Sequence, residues 1–409
     1  MGSRARAGSR KLGTIVFLSL LVCATWSGGL AVGVAAAETD FIAVRKGKRL
    51  SANKIGCQRV PVGIAEDYKP SIVLLPDGEI LLCMFSGRRL NDGKIAEQTV
   101  LYRSMDGGRT WSQRETPDIA GREPSLSVTA QGTVLITTHL LGQDIRNKEG
   151  YTHSYVHRSE DRGKTWSTTR VEPVGFRPRV TGLTTRNVLQ LADESLLLGV
   201  SEHGAKKCKS YVWRSTDDGK TWGTRSLSHF EKVPEDYPYT LFGEAHLWQA
   251  RTGKLYAILR VGAGNTWPLS GTKDPGNNDQ SERMIIYASE DVGKTWSQVS
   301  DLGNYGQMYM SILRLGDGRL LLTYTQRAIA TPLGVRGALG RESADGFQFD
   351  LTRDQIMLDT KTPVGMASGG GFGPTIQLAD GTLVTSYTYR DANRRKHAEV
   401  VRWKMPAWK

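Results

Sequence analysis

The stretch Ser159-Glu160-Asp161-Arg162-Gly163-Lys164-Thr165-Trp166 decides the fold, because it returns. SMDGGRTW from Ser104, STDDGKTW from Ser215 and SEDVGKTW from Ser289 keep the same serine, aspartate, glycine, threonine and tryptophan. A weaker echo, SADGFQF, starts at Ser343. Self-similarity at a long, regular spacing marks a repeat architecture. A second pattern has the same spacing: a hydrophobic run, a turn pair and another hydrophobic run. Its copies are SIVLLPDGEILLCMF, SLSVTAQGTVLITTH, NVLQLADESLLLGVS, HLWQARTGKLYAILR, SILRLGDGRLLLTYT and TIQLADGTLVTSYTY. The turns fall at Asp77-Gly78, Gln131-Gly132, Asp193-Glu194, Thr252-Gly253, Asp317-Gly318 and Asp380-Gly381. β-rich runs flanking such pairs read as β-hairpins.

A third run, such as TVLYRS, SYVHRS, SYVWRS or MIIYAS, leads into each octapeptide, and a fourth strand is expected after it. Four antiparallel strands repeated six times predict an all-β, six-bladed propeller over residues 38–409. The last repeat ends after AEVVRW without a fourth strand. DFIAV, at 40–44, is expected to supply it and so join the two chain ends.

Residues 1–37 read as an export leader. Arg4, Arg6, Arg10 and Lys11 form a basic start, an apolar run follows from Leu12, and Ala35-Ala36-Ala37 ends it as a small-residue cleavage site. The alternative is an uncleaved N-terminal anchor, because the run is long. Val22 before Cys23 makes a poor lipoprotein site. A secreted or periplasmic location follows, with no stable membrane insertion after cleavage. The formal charge is +13, which favours anionic partners. The basic residues are scattered, which argues against nucleic acid and leaves acidic glycans, membrane surfaces or a merely solubilising charge. Beyond the leader only Cys57, Cys83 and Cys208 remain, an odd number that cannot all pair internally. No CxxC or HExxH spacing is present, so neither a metal nor another cofactor is expected.

Topology sorts the candidate residues. In a meander, the hairpin turns and the octapeptides share one face, and the opposite face is the mouth of the central funnel. Eight residues before each turn stand Lys69, Glu123, Thr185, Glu244, Tyr309 and Phe372, with Tyr68, Arg122, Arg186 and His246 close by. The second strands end near Arg88, Arg89, His139, Glu202, His203, Arg260, Arg327 and Arg390. These positions differ between repeats while the turns hardly change. Arginine suits a carboxylate, because its planar fork makes two parallel charge-assisted bonds. Two long loops, 226–240 and 261–283, offer Tyr237 and Trp267 as stacking surfaces for a sugar. The octapeptide aspartates are expected to accept hydrogen bonds within their own turns rather than to meet a substrate.

S-x-D-x-G-x-T-W is the Asp-box, and four good copies on such a propeller resemble the sialidase (neuraminidase) superfamily. Asp-boxes also occur in non-catalytic propellers such as sortilin-type receptors. The resemblance implies three arginines holding a substrate carboxylate, a tyrosine nucleophile helped by a glutamate, and an aspartate as acid/base. It places Glu244 as the tyrosine's partner, Arg260 and Arg327 as the second and third arginines, and Asp92 as the acid/base. Tyr68, with Lys69 beside it, stands where the first arginine belongs, and Gly371 and Phe372 stand where the tyrosine belongs. In a permuted register Arg122-Glu123-Pro124 supplies the first arginine, Asp144 the acid/base and Tyr68 the nucleophile. The implied activity is a glycosidase acting on an acidic terminal sugar. Its catalytic set is Asp92, Glu244 and Tyr68. Its binding set is Arg122, Arg260, Arg327, Arg390, Lys69, His139, His203 and Tyr309. A lyase using His139, His203, Tyr68 or Tyr309 as base, and a silent glycan-binding propeller, are the alternatives.

Overall fold

A computed structural model describes residues 40–171, 181–184, 186–203, 209–229, 241–262, 278–343, 346–363 and 371–409. The leader, Cys208, Tyr237 and Trp267 lie outside the described residues. Apart from one short 3-10 turn at Asn278–Ser281, the described elements are all β-strands. No helix among the described residues is long and apolar enough to cross a membrane.

All six expected hairpins are antiparallel pairs, and five of the six turns place glycine at positive φ, as at Gly78 (90°). Their inner strands are Asp67–Leu74, Arg122–Val128, Val188–Gln190, Leu241–Gln249, Gln307–Arg314 and Thr375–Gln377. Each touches the next and the last touches the first, which closes a propeller-like ring. Side chains seal the free edges of these strands. Ser71 Oγ accepts the Leu126 N–H, Ser127 Oγ that of Val188, Asn187 Oδ1 that of Leu247 and His246 Nε2 that of Ile312. Backbone donors that adjacent sheets cannot satisfy are thus paired across the gap.

The chain ends meet, by a different strand than expected. Lys54–Val62 pairs with the final strand Lys396–Lys404, from Cys57 opposite Trp403 to Val62 opposite Ala398. Asp40–Arg45 lies one strand farther out and pairs with both Lys54–Val62 and Gln355–Met357, merging the last two repeats into one ten-stranded sheet. Pro61 is tolerated because the partner on its far side stops at residue 57, leaving no ladder bond to lose. The buried Asp354 carboxylate fixes the connecting turn by accepting the N–H groups of Lys48, Arg49 and Leu50. The first repeat also departs from the four-strand expectation. After its octapeptide the chain makes only bridges, at Glu115 and Ala120, and Pro117 between them cannot donate to a ladder.

The octapeptides are scaffold. Asp161 Oδ1 accepts the N–H groups of Lys164 and Thr165 and the Ser159 hydroxyl, while Oδ2 accepts the Thr165 hydroxyl. Asp106 and Asp291 repeat that set of bonds. These bonds hold the Asp161 carboxyl well below the usual carboxylate range. Arg162 pairs with Asp77 in the preceding hairpin turn, so turns and octapeptides do share a face. The residue after each aspartate is left-handed, at Gly107 (71°), Arg162 (63°), Asp218 (58°) and Val292 (60°). A β-branched side chain is poorly suited there. Val292→Gly is expected to raise stability by about 0.5–1 kcal/mol, the relief of left-handed strain exceeding the added freedom of the unfolded chain. A urea midpoint lower than that of the parent protein would contradict this.

Candidate active site

Backbone strain builds the funnel mouth. Lys69, Glu123, Glu244, Tyr309 and Phe372 have φ of 57°, 51°, 53°, 58° and 58°. Four of the five inner strands concerned slip register there, as between Tyr68 and Ser71 and between Arg122 and Ser125. A bulge at one repeated position turns one side chain per strand out of the pleat. At three of these positions the N–H goes to a hydroxyl of the preceding repeat. Thr388 takes that of Lys69, Ser201 that of Glu244 and Thr325 that of Phe372. The sixth equivalent, Thr185, lies outside the described residues.

Two charged groups result. In the first, Lys69 pairs with Glu123. Arg122 Nε stands 3.6 Å from Glu97 Oε2 and 3.8 Å from Glu123 Oε1. Burial pushes the Glu123 carboxyl up, but Lys69 and Arg122 outweigh it and hold Glu123 well below the carboxylate range. At Glu97 burial wins over Arg122, and its carboxyl is raised. Burial brings the Lys69 ammonium down to about 8 against the pull of Glu123. Tyr68 packs on Phe85 at 4.2 Å between ring centroids, and Lys396 Nζ lies 3.7 Å over its ring. Burial raises its phenol to about 12.

The second group centres on Arg260. Its Nη1 donates to Glu244 Oε1 at 2.8 Å and to Tyr309 Oη at 2.7 Å. Its Nε donates to Glu282 Oε2 at 2.5 Å, and Asp279 Oδ1 lies 3.5 Å from Nη2. Arg186 donates to the other Glu244 oxygen at 2.6 Å, and Arg327 Nε to Asp279 at 2.8 Å. Tyr309 stacks on Phe372 at 4.4 Å, and Arg186 lies 4.5 Å over the Tyr309 ring. Burial pushes Glu244 up, but Arg260 and Arg186 bring it below its usual value; at Glu282 burial prevails and raises it.

The structure therefore joins Tyr68, Lys69, Arg122, Glu123, Glu244, Arg260, Tyr309 and Arg327 to the funnel mouth. Arg122, Arg260 and Arg327, which the sequence assigned to a substrate carboxylate, already face protein carboxylates, three of them at Arg260. Asp92 stands apart. It is 57% exposed in the turn after the first hairpin and caps that turn by accepting the Lys94 N–H. Asp144, the permuted acid/base, is buried and accepts N–H groups from Glu97 and Arg146. His139 is buried against the Thr184 carbonyl and lowered to about 4 by burial, which leaves a weak base. Arg390 is half-buried at the end of the last hairpin, its backbone N–H bound to Thr362. The His203 side chain lies outside the described residues.

Glu97, Asp279 and Glu282 escaped the sequence reading. Two of them had a signal: Glu97 faces Gly87, and Glu282 faces Gly262, across equivalent strand pairs of the first and fourth repeats. A Cβ on Gly87 or Gly262 would lie 2.9 or 2.4 Å from the glutamate Cγ. The glycine makes room for the acid. Among the described residues no group of histidine, cysteine or acidic side chains could hold a metal ion.

The repeats also match a family model. The one described as a BNR repeat-like domain covers residues 122–339, more than half of the chain. The chain belongs to the BNR repeat-like domain family. Curated protein sequences give no match. Solved structures resemble this BNR repeat-like protein in fold. A Dyadobacter fermentans protein of unknown function is 22% identical, with TM-score 0.65, covering 85% of this chain and 98% of its own. The GH93 α-L-arabinofuranosidase of Fusarium graminearum is 14% identical, with TM-score 0.55, over 82% and 92%. The Trypanosoma rangeli sialidase is 14% identical, with TM-score 0.51, over 88% and 58%.

Proposed function

We propose that this BNR repeat-like protein is an exported glycoside hydrolase, a six-bladed propeller that cleaves a terminal sugar from an acidic glycan at its funnel mouth. The observation that carries the reading is the pair Glu97 and Glu123 on one edge of Arg122. Both carboxyls lie within reach of one guanidinium nitrogen, so two acids share one site, as glycosidase chemistry requires. Their environments push them in opposite directions, which separates acid from base or nucleophile. Glu97 is the proton donor to the leaving oxygen, and ionised Glu123 serves the anomeric centre or its attacking water. Lys69 orients Glu123, and Tyr68 flanks it. The fold is shared with arabinofuranosidases and sialidases, which supports glycan chemistry without choosing the sugar.

The neutralised arginines support a departure from the sialidase pattern, since Arg260 has no free fork for a substrate carboxylate. A lyase base at His139 has no support in this geometry. The test is a panel of aryl glycosides and acidic oligosaccharides with product analysis. Release of a free monosaccharide is the expected result. Products with ultraviolet absorbance from a new double bond would establish a lyase, and binding without cleavage would establish a silent propeller.

A further inference from the structure

We infer that the cleft between the first and second repeats, walled by Arg88, Arg114, Arg146 and Glu97, is a subsite for a sugar that bears a carboxylate. It has a volume of about 380 Å³, inside the roughly 300–1,000 Å³ of small-molecule sites. It shares Glu97 with the funnel mouth, so a glycan crossing that carboxyl would lie in both. The inference rests on the hydrolase reading only for that direction of the chain.

Charge makes the argument. Arg114 is anchored from behind by Asp67 at 3.1 and 3.2 Å, and Arg146 by Asp144 at 3.4 Å. Both carboxylates are 0% exposed, while the arginines are 30% and 34% exposed. A ligand therefore meets guanidinium groups and not their counter-ions. Arg88 is exposed at the end of its strand and forms no ion pair among the described residues. Glu97 is the one acid on the wall; its side chain is 9% exposed and its Oε2 is buried against Arg122 Nε at 3.6 Å, so little of its charge faces the cleft. Burial raises its carboxyl, which weakens the repulsion it offers an anion. Fixed guanidinium groups suit a planar carboxylate.

The experiment is ligand-observed NMR titration of the full protein with D-glucuronate and, separately, D-glucose. The expected result is glucuronate binding with no matching response to glucose. Arg88→Ala should weaken it about tenfold, as the loss of one charge-assisted contact predicts, and Arg88→Glu should abolish it. Thermal unfolding of each variant reports its folding. Equal responses to both sugars, or glucuronate binding unchanged in folded Arg88→Glu, would overturn the proposal. The readout needs no turnover. If glucuronate binds under the control of Arg88 while no glycoside is cleaved, the subsite stands and the hydrolase reading falls. If glycosides are cleaved and glucuronate does not bind, the reverse holds.

Discussion

Glu123→Gln is expected to lower kcat/KM by about 10²–10⁴-fold on any glycoside that the protein cleaves, the usual worth of a positioned acid or base. The amide keeps the shape of the side chain but removes the charge that Lys69 and Arg122 hold in place. Glu97→Gln should cost a similar factor where the leaving group is an ordinary sugar hydroxyl. The two variants part on an aryl glycoside with an acidic phenol. Such a leaving group departs without a proton, so Glu97→Gln should recover most of its activity and Glu123→Gln should not. Equal recovery by both would remove the assignment of roles. Asp92→Asn is expected to leave kcat/KM within about twofold, since that carboxylate caps a turn in solvent.

The largest stability effect belongs to Arg260→Leu. Its removal strands Glu244, Glu282 and Asp279 in a buried site with Arg186 and Arg327 as the remaining cations. Breaking a buried charge network by deleting one partner costs about 3–5 kcal/mol. The loss should appear in urea unfolding near neutral pH. It should shrink in acid. Without Arg260 the folded-state pKa values of these carboxyls rise, and that of Glu282, already raised by burial, rises furthest above its unfolded value. Their contribution is then penalised as pH rises through the raised values and is restored below the unfolded ones. In the parent protein Glu244 and Asp279 behave the opposite way. Their carboxyls are held low, so their stabilisation is present at neutral pH and is lost as pH falls below the ordinary carboxylate range. A deficit that does not change with pH would contradict the network account.

The repeats were legible because they obey local rules. An Asp-box turn needs only its own serine, aspartate, glycine and threonine, and a hairpin needs its turn pair. The funnel-mouth positions could be found by counting back from each turn, because the bulge recurs at one place in four of the inner strands. What could not be read was charge pairing across repeats. Glu97 meets Arg122 from the next repeat, and Arg327 meets Asp279 from the one before, and no local spacing encodes either contact. The arginines looked available for a substrate because their partners lay outside the repeated pattern. The closing strand was misplaced for a similar reason. Both DFIAV and KIGCQRVPV can form strands, and Asp354, far along the chain, fixes the turn between them.

The most direct test of the account is the pH dependence of kcat/KM for the parent protein and Glu97→Gln, on a substrate with a poor leaving group. Glu123, held low, should set the acid limb, and Glu97, raised by burial, should set an alkaline limb above the ordinary glutamate value. The account predicts a bell for the parent protein and, in Glu97→Gln, the loss of the alkaline limb set by Glu97, leaving only the later fall as Lys69 deprotonates at about 8. An alkaline limb that persists unchanged in the variant would contradict it.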